Sequence, residues 1–338
     1  PLADVSLLLV YREAAVHGVD PTGRIIGQIG TGDGLDWTEP EVLHDVPDID
    51  DRDPSVTALA SGDVVLNYFQ YRYEPTADGD LSLHQIFLGR SVDQGATFGD
   101  FAQVPPGAMS YPGAYIDEDL LWVDAAGDPV IVTACSSPVV ELGDRLIVQN
   151  YGGNAWNQDN PDAPRSYVSL FVSEDDGASW AEQIIAPDAA PGTWLQEPSL
   201  LALDDLRWLV HVRTATGSSP GYLGDTWQAS TDDGGATWGE WRELGFYGHA
   251  PYLYRLANGT LISAFRELNF NATQAAVSFV YSLDEGETWS EPVRVVHWLP
   301  TELGYPSVLQ LEDERILFVY YQAGTSIRAA IYSYDESW

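Results

Sequence analysis

The 338-residue chain contains no lysine. All fifteen basic residues are arginine, against 51 aspartates and glutamates, for a formal net charge of −36. That deficit argues against nucleic acid or an anionic membrane as a partner, since both need a cationic face. Cysteine is nearly absent too: with Cys135 alone, no internal disulfide forms and the redox compartment is left open. No apolar run is long enough to span a bilayer, so membrane insertion is not expected. These residues carry no signal peptide, and a secreted or cell-surface setting is the expectation. Helical periodicity is missing as well. In their place the chain is 45% hydrophobic with twelve tryptophans, ample for a packed core. The acid excess fits solubility in high salt or a generally acidic secreted protein, and neither reading names a function. In so acidic a chain, arginines clustered in a pocket would form a local anion site.

A short polar turn recurs along the sequence. SLDEGETW (282–289), SVDQGATF (91–98), SEDDGASW (173–180) and TDDGGATW (231–238) share one spacing, TGDGLDW (31–37) is a residue short, and SYDESW (333–338) is a degraded copy. Asp and Ser side chains bond nearby backbone N–H groups and hold a tight turn. Glycine supplies a backbone angle that other residues resist, and the closing Trp or Phe is placed to bury between strands. The EF-hand spacing and its closing glutamate are absent, which excludes a calcium loop of that type. The turn resembles the Asp-box, or BNR, repeat of the sialidase superfamily. As a rule such boxes lie far from the active site, so this resemblance implies a fold rather than a chemistry.

A second repeat precedes each box: a proline-led strand, a turn and another strand. Its copies are RDPSVTALASGDVVLNYFQ (52–70), SSPVVELGDRLIVQNYGG (136–153), QEPSLLALDDLRWLVHVR (196–213), HAPYLYRLANGTLISAFR (249–266) and GYPSVLQLEDERILFVYY (304–321). They align without gaps on Pro54, Pro138, Pro198, Pro251 and Pro306. Alternating or continuous apolar residues around a Gly, Asp or Asn turn predict strand–turn–strand units. Each proline is expected at the first residue of its strand, where no ladder bond is lost. With its box, each unit makes four short antiparallel strands, the size of a propeller blade. Residues 52–102, 136–190, 196–247, 248–300 and 303–338 give five blades, and 1–45 a sixth. The expected fold is all-β, a six-bladed β-propeller of the sialidase-like kind, with 1–338 as a single domain and an insertion at about 103–135. The innermost strand of the first blade would lie upstream of Pro1, and the sixth blade stops at Trp338 before its fourth strand.

Innermost strands of a propeller begin around its axis, so equivalent slots from different blades are expected to converge. Immediately before the prolines stand Asp53, Ser137, Glu197, Ala250 and Tyr305, and one step earlier Arg52, Ser136, Gln196, His249 and Gly304. Where the second strands end stand Phe69, Gly153, Arg213, Arg266 and Tyr321, with Arg12 in the same slot of the first blade. Core slots in a repeat should be apolar and alike. These differ from blade to blade and are rich in charge, the signature of a pocket.

Here the resemblance to sialidases reaches single residues. In that family a blade-4 glutamate is followed by an arginine at the end of the next strand, as in Glu197…Arg213. A blade-6 tyrosine opens its strand before a serine-containing apolar run, as in GYPSVLQL with Tyr305. The resemblance implies Tyr305 as nucleophile, Glu197 as its base, and Arg213 and Arg266 as clamps on a substrate carboxylate. Arg12 and Arg52 are further substrate-binding candidates. Asp20, in the loop AAVHGVDPTG beside His17, and Asp53 are alternative acid/base residues. His249 is either a pocket hydrogen-bonder or a base. Sialic acid carries a carboxylate on its anomeric carbon, where a carboxylate nucleophile would be repelled and a tyrosine would not; sialidases are the tyrosine exception among glycosidases. Arginine suits the carboxylate because its planar fork reaches both oxygens.

The expected function is therefore an exo-acting, retaining hydrolase releasing a terminal acidic sugar, most simply sialic acid, without metal or other cofactor, its partner an acidic glycan. Two alternatives remain open at this level: a related propeller hydrolase or lyase acting on another polysaccharide, with His249 and Tyr305 central, or a glycan-binding propeller without catalysis.

Overall fold

A computed structural model describes residues 1–76, 79–104, 115–116, 122–123, 133–152, 167–186, 193–216, 224–269, 273–323 and 326–334. The fold is all-β, a six-bladed propeller, with no helix among the described residues. By compactness the chain divides into two units, Pro1–Thr31 with Asp36–Ala189, and Gly32–Leu35 with Ala190–Trp338.

The first unit holds three blades. They are β1 (Leu7–Glu13), β2 (Arg24–Gly30) and β3 (Glu41–His44); then β4 (Asp50–Ala58), β5 (Val64–Thr76), β6 (Gly79–Ser91) and β7 (Ala102–Gln103). A two-stranded pair follows, β8 (Tyr115–Ile116) with β9 (Trp122–Val123), within the insertion expected at about 103–135. The third blade is β10 (Val140–Leu142), β11 (Arg145–Gly152), β12 (Tyr167–Ser173) and β13 (Ala181–Ala186). Leu59, Val65, Phe69 and Ile86 of the second blade pack with Cys135, Leu146, Val148 and Phe171 of the third. Burial in that layer pushes the Cys135 thiol up to about 12, which leaves it an inert apolar filler.

The second unit holds the other three blades. They are β14 (Thr193–Ala202), β15 (Trp208–Thr216), β16 (Thr226–Thr231) and β17 (Arg242–Glu243); β18 (Gly248–Arg255), β19 (Leu261–Leu268), β20 (Ala275–Ser282) and β21 (Val293–Leu299); and β22 (Leu303–Gln310), β23 (Ile316–Gln322) and β24 (Ser326–Tyr332). Every pairing within these blades is antiparallel and between sequence neighbours. Leu256, Ile262 and Phe279 pack on Val308, Ile316 and Phe318, with the Phe279 and Phe318 rings stacked at 5.5 Å.

Four boxes close their hairpins with one set of bonds. In the box of β20, the Ser282 hydroxyl accepts from the Gly286 N–H at 2.8 Å and donates to Asp284 at 2.8 Å. Asp284 in turn accepts from the Thr288 N–H at 2.9 Å and hydroxyl at 2.6 Å. The same bonds recur around Asp93, Asp175 and Asp233. Trp289 then donates from Nε1 to Gln228 of β16 at 2.7 Å and meets the His211 ring of β15 edge-on. Gly286 is needed at that crossing. Its φ is 90°, and a Cβ there would lie 2.9 Å from Leu209. The box is thus a staple from one blade to its predecessor. Residues 335–338 of the sixth copy lie outside the described residues.

Pro54, Pro198, Pro251 and Pro306 do not open their strands. Each lies inside one, at a β-bulge: the ladder skips between Arg52 and Ser55, Gln196 and Ser199, His249 and Tyr252, and Gly304 and Ser307. A bulge leaves one residue outside the ladder, so a proline without an N–H forfeits nothing there. The residue before each proline is left-handed: Asp53 at φ 47°, Glu197 at 53°, Ala250 at 49° and Tyr305 at 49°. Such a conformation costs a non-glycine residue roughly 1–3 kcal/mol, and this chain adopts it four times in one register.

The charge sets a condition on the whole fold. A net −36 concentrates repulsion in the compact state, and the screening length falls from about 10 Å at 0.1 M salt to about 3 Å at 1 M. The thermal midpoint is expected to rise by roughly 5 °C or more between about 0.1 and 2 M KCl. A midpoint that stays level in a calorimetric series would show that self-repulsion does not limit stability.

Candidate active site

The three bulges of the second unit turn Glu197, Ala250 and Tyr305 toward one another. The Tyr305 hydroxyl donates to Glu197 Oε1 at 2.5 Å, although 108 residues separate them in sequence. Arg213 Nη1 donates to the same oxygen at 2.8 Å, and the Ala250 N–H donates to Glu197 Oε2 at 2.8 Å. Blades 4, 5 and 6 therefore each supply one part of this carboxylate's surroundings. Glu197 is 2% exposed and Arg213 7%, so the pair is shielded from water. Burial alone would push the Glu197 carboxyl up. The Arg213 charge, the Tyr305 hydroxyl, the Arg266 charge and the Ala250 N–H outweigh it and hold the group below its ordinary value, ionised.

The strand ladder explains a second set of contacts. Residues paired directly across antiparallel strands share a face, and one step before the bulge His249 pairs with Arg266, Gln196 with Arg213, and Gly304 with Tyr321. His249 Nδ1 accepts from Arg266 Nη2 at 3.0 Å, since a guanidinium only donates. Arg266 Nη1 donates to the Tyr321 hydroxyl at 3.1 Å, and Tyr321 donates to Glu302 Oε1 at 3.0 Å. Gly304 lets the arginine pass: a Cβ there would sit 2.7 Å from Arg266 Cδ. Arg266 also stands over the Tyr305 ring, with Cζ 5.7 Å from its centroid. Its guanidinium is buried yet held charged, because Tyr305, Tyr321, Glu197 and Glu302 outweigh the desolvation. Burial, and then the charges of Arg213 and Arg266, push His249 well below the ordinary histidine range, so it is neutral.

The remaining candidates lie in the first unit. Arg12 grips Asp50 through Nε at 2.7 Å and Nη2 at 2.9 Å. Arg52 donates to the same carboxylate at 3.1 Å. They also donate to the loop carbonyls of Val16, His17 and Gly18. These two arginines, expected to hold substrate, are engaged with a fully buried aspartate and pin a loop. Asp20 fastens the same loop, accepting from the N–H groups of Ala15, Val16 and Thr22 and from the Thr22 hydroxyl. The Thr22 bonds chiefly, against burial, pull its carboxyl down to about 2. Asp53 occupies the bulge slot of the second blade.

Sequence reasoning did not single out Glu302, Asp50 or the Ala250 N–H as parts of these networks. Glu302 stands three residues before Tyr305, and Asp50 two before Arg52; only their acidity marked them, in a chain where acidity is everywhere. Among the described residues, no three His, Cys, Asp or Glu side chains gather as a metal-holding group.

A protein from Dyadobacter fermentans described as of unknown function matches the structure with a TM-score of 0.75 at 19% identity, over 98% of this chain and 91% of that one. The NanB sialidase of Streptococcus pneumoniae matches with a TM-score of 0.67 at 12% identity, over 97% of this chain, which spans 66% of the sialidase's length. The intramolecular trans-sialidase of Ruminococcus gnavus matches with a TM-score of 0.63 at 11% identity, over 97% and 92%. Such identities speak to the fold alone. No curated protein sequence matches the chain. The profile of the BNR repeat-like domain, however, matches residues 33–318. The stapled turns, the blades and this match agree, and the chain belongs to the BNR repeat-like domain family, with a sialidase-like propeller fold.

Proposed function

We propose that this protein is an exo-acting, retaining glycoside hydrolase that releases a terminal acidic sugar, most simply sialic acid. The observation that carries the reading is the 2.5 Å bond from Tyr305 to Glu197, made between two left-handed bulge residues. Glu197 Oε1 takes the tyrosine proton as the phenolic oxygen attacks the anomeric carbon, and the bond from that carbon to the leaving oxygen breaks. The nearby Arg266 charge favours the developing phenolate and, with Arg213, attracts the carboxylate of the sugar. Water then cleaves the tyrosyl–sugar bond, its hydroxyl going to the sugar and its proton to the acid that served the leaving group, while Glu197 returns its proton to the Tyr305 oxygen, so that configuration is retained over the two steps.

A proton for the leaving oxygen must come from an acid. Asp20 is a poor source, because its bonds hold it ionised. Asp53 is the other acid/base candidate, and it fills in blade 2 the slot that Glu197 and Tyr305 fill in blades 4 and 6. Arg12 and Arg52 are proposed to shape the loop rather than to bind substrate. The sialidases among the structural neighbours support the fold-level part of this reading.

The test is turnover of an aryl α-sialoside followed by NMR. Release of the α-anomer first, at a rate indifferent to a chelator, is the expected result. Cleavage with inversion, an unsaturated product, or no turnover of any sialoside would overturn the proposal.

A further inference from the structure

His249 holds a hydrogen-bond donor without an acceptor among the described residues. Its Nδ1 accepts from Arg266, which fixes the tautomer and places the ring hydrogen on Nε2. That Nε2 has no hydrogen-bond partner among the described residues, and the side chain is 1% exposed. Buried donors almost always have a partner, and one left without is a feature to be explained. Its place in the fold supplies the explanation. His249 immediately precedes Ala250, whose N–H donates to Glu197, and the charges of both Arg213 and Arg266 act on it. The charges that bear on its ring are those of two guanidinium ions, so an incoming acceptor with negative charge is favoured over a neutral one.

We infer that His249 is a substrate-binding residue whose Nε2–H donates to an oxygen of the bound sugar's carboxylate, acting as an uncharged third donor beside Arg213 and Arg266. This rests on the acidic-sugar reading above. It adds a role that an arginine in the same slot would not fill. A third guanidinium beside Arg266 would repel it, whereas a neutral imidazole both accepts from Arg266 and donates to the ligand.

The experiment separates the two ring nitrogens. Asparagine places its amide oxygen near the position of Nδ1, and glutamine places its amide nitrogen near that of Nε2. Binding of N-acetylneuraminic acid and of its methyl ester is measured by titration or ligand-observed NMR on the wild type, His249→Asn and His249→Gln, with circular dichroism to confirm folding. The expected result is at least a tenfold loss of affinity for the acid in H249N, a change within about threefold in H249Q, and weak ester binding that neither variant alters. Equal affinity in all three proteins would overturn the inference. So would loss in H249Q with retention in H249N, which would make His249 only a positioning residue for Arg266. A wild type that binds neither sugar would overturn the acidic-sugar reading itself, and the inference with it.

A second measurement needs no variant. In wild-type protein with ¹⁵N-labelled histidine, the six histidines include one whose Nε2–H signal is expected to move downfield on adding the acid. An unmoved His249 signal at saturating acid would refute the contact even if both variants failed to fold.

Discussion

Replacing Tyr305 with phenylalanine is expected to lower kcat on an aryl sialoside by roughly 10³-fold or more, with the fold intact. The substitution removes one oxygen. The aromatic ring remains, against Tyr321 at 5.9 Å between centroids and beneath Arg266. What disappears is the hydroxyl proposed to attack, and its bond to Glu197. Because Arg213 and Arg266 stay in place, affinity for the acidic sugar should change little, so the loss falls on kcat and not on KM. Undiminished turnover in Y305F would sink the nucleophile assignment. A matched loss in kcat/KM carried wholly by KM would recast Tyr305 as a binding residue.

The second large effect is on stability. Arg213→Met leaves Glu197 buried with its chief counter-charge gone, and breaking a buried ion pair from one side typically costs about 3–5 kcal/mol. For a chain of this size that corresponds to a drop in Tm on the order of 10 °C. The pH dependence gives the cause away. In the wild type Glu197 lies below its ordinary value near 4.5. Its contribution is therefore present above that pH and is lost as the pH falls through the depressed value. Without Arg213 the burial effect dominates and the carboxyl moves up. The variant is then penalised increasingly as the pH rises above about 4.5, and least in acid. Adding Glu197→Gln should recover part of the loss, making the double variant more stable at pH 7 than R213M alone. A destabilisation that is the same at pH 4 and pH 7, with no recovery in the double variant, would mean that lost packing of the arginine stem is responsible.

The architecture was legible in the sequence because it is specified locally. The box from Ser282 to Trp289 encodes its own turn, and the alternation after each register proline encodes a hairpin. Neither needs distant partners. The bulges were less visible, since a bulge is a mismatch in count between two strands; only the proline inside an apolar run hinted at it, and the expectation set those prolines at strand starts instead. For the candidate site, slot equivalence drew attention to Glu197, Tyr305, Arg213, Arg266 and His249, which the structure brings together in one unit. It drew the same attention to Arg12 and Arg52, because an arginine at a strand end reads alike whether it faces a ligand or a buried Asp50. Glu302 could not be distinguished at all. Its part depends on the reach of Arg266 past Gly304, and side-chain reach is a property of three dimensions.

The left-handed residue before Pro54, Pro198, Pro251 and Pro306 lies outside the hydrogen-bond ladder, and this separates what the scaffold inherits from what it does with it. Asp53, Glu197, Ala250 and Tyr305 hold one backbone shape with four different chemistries. A substitution at such a socket changes the reagent presented while the blade keeps its bonds. Ala250 alone of the four has no polar side chain, and its part in the site is the backbone N–H that it donates to Glu197.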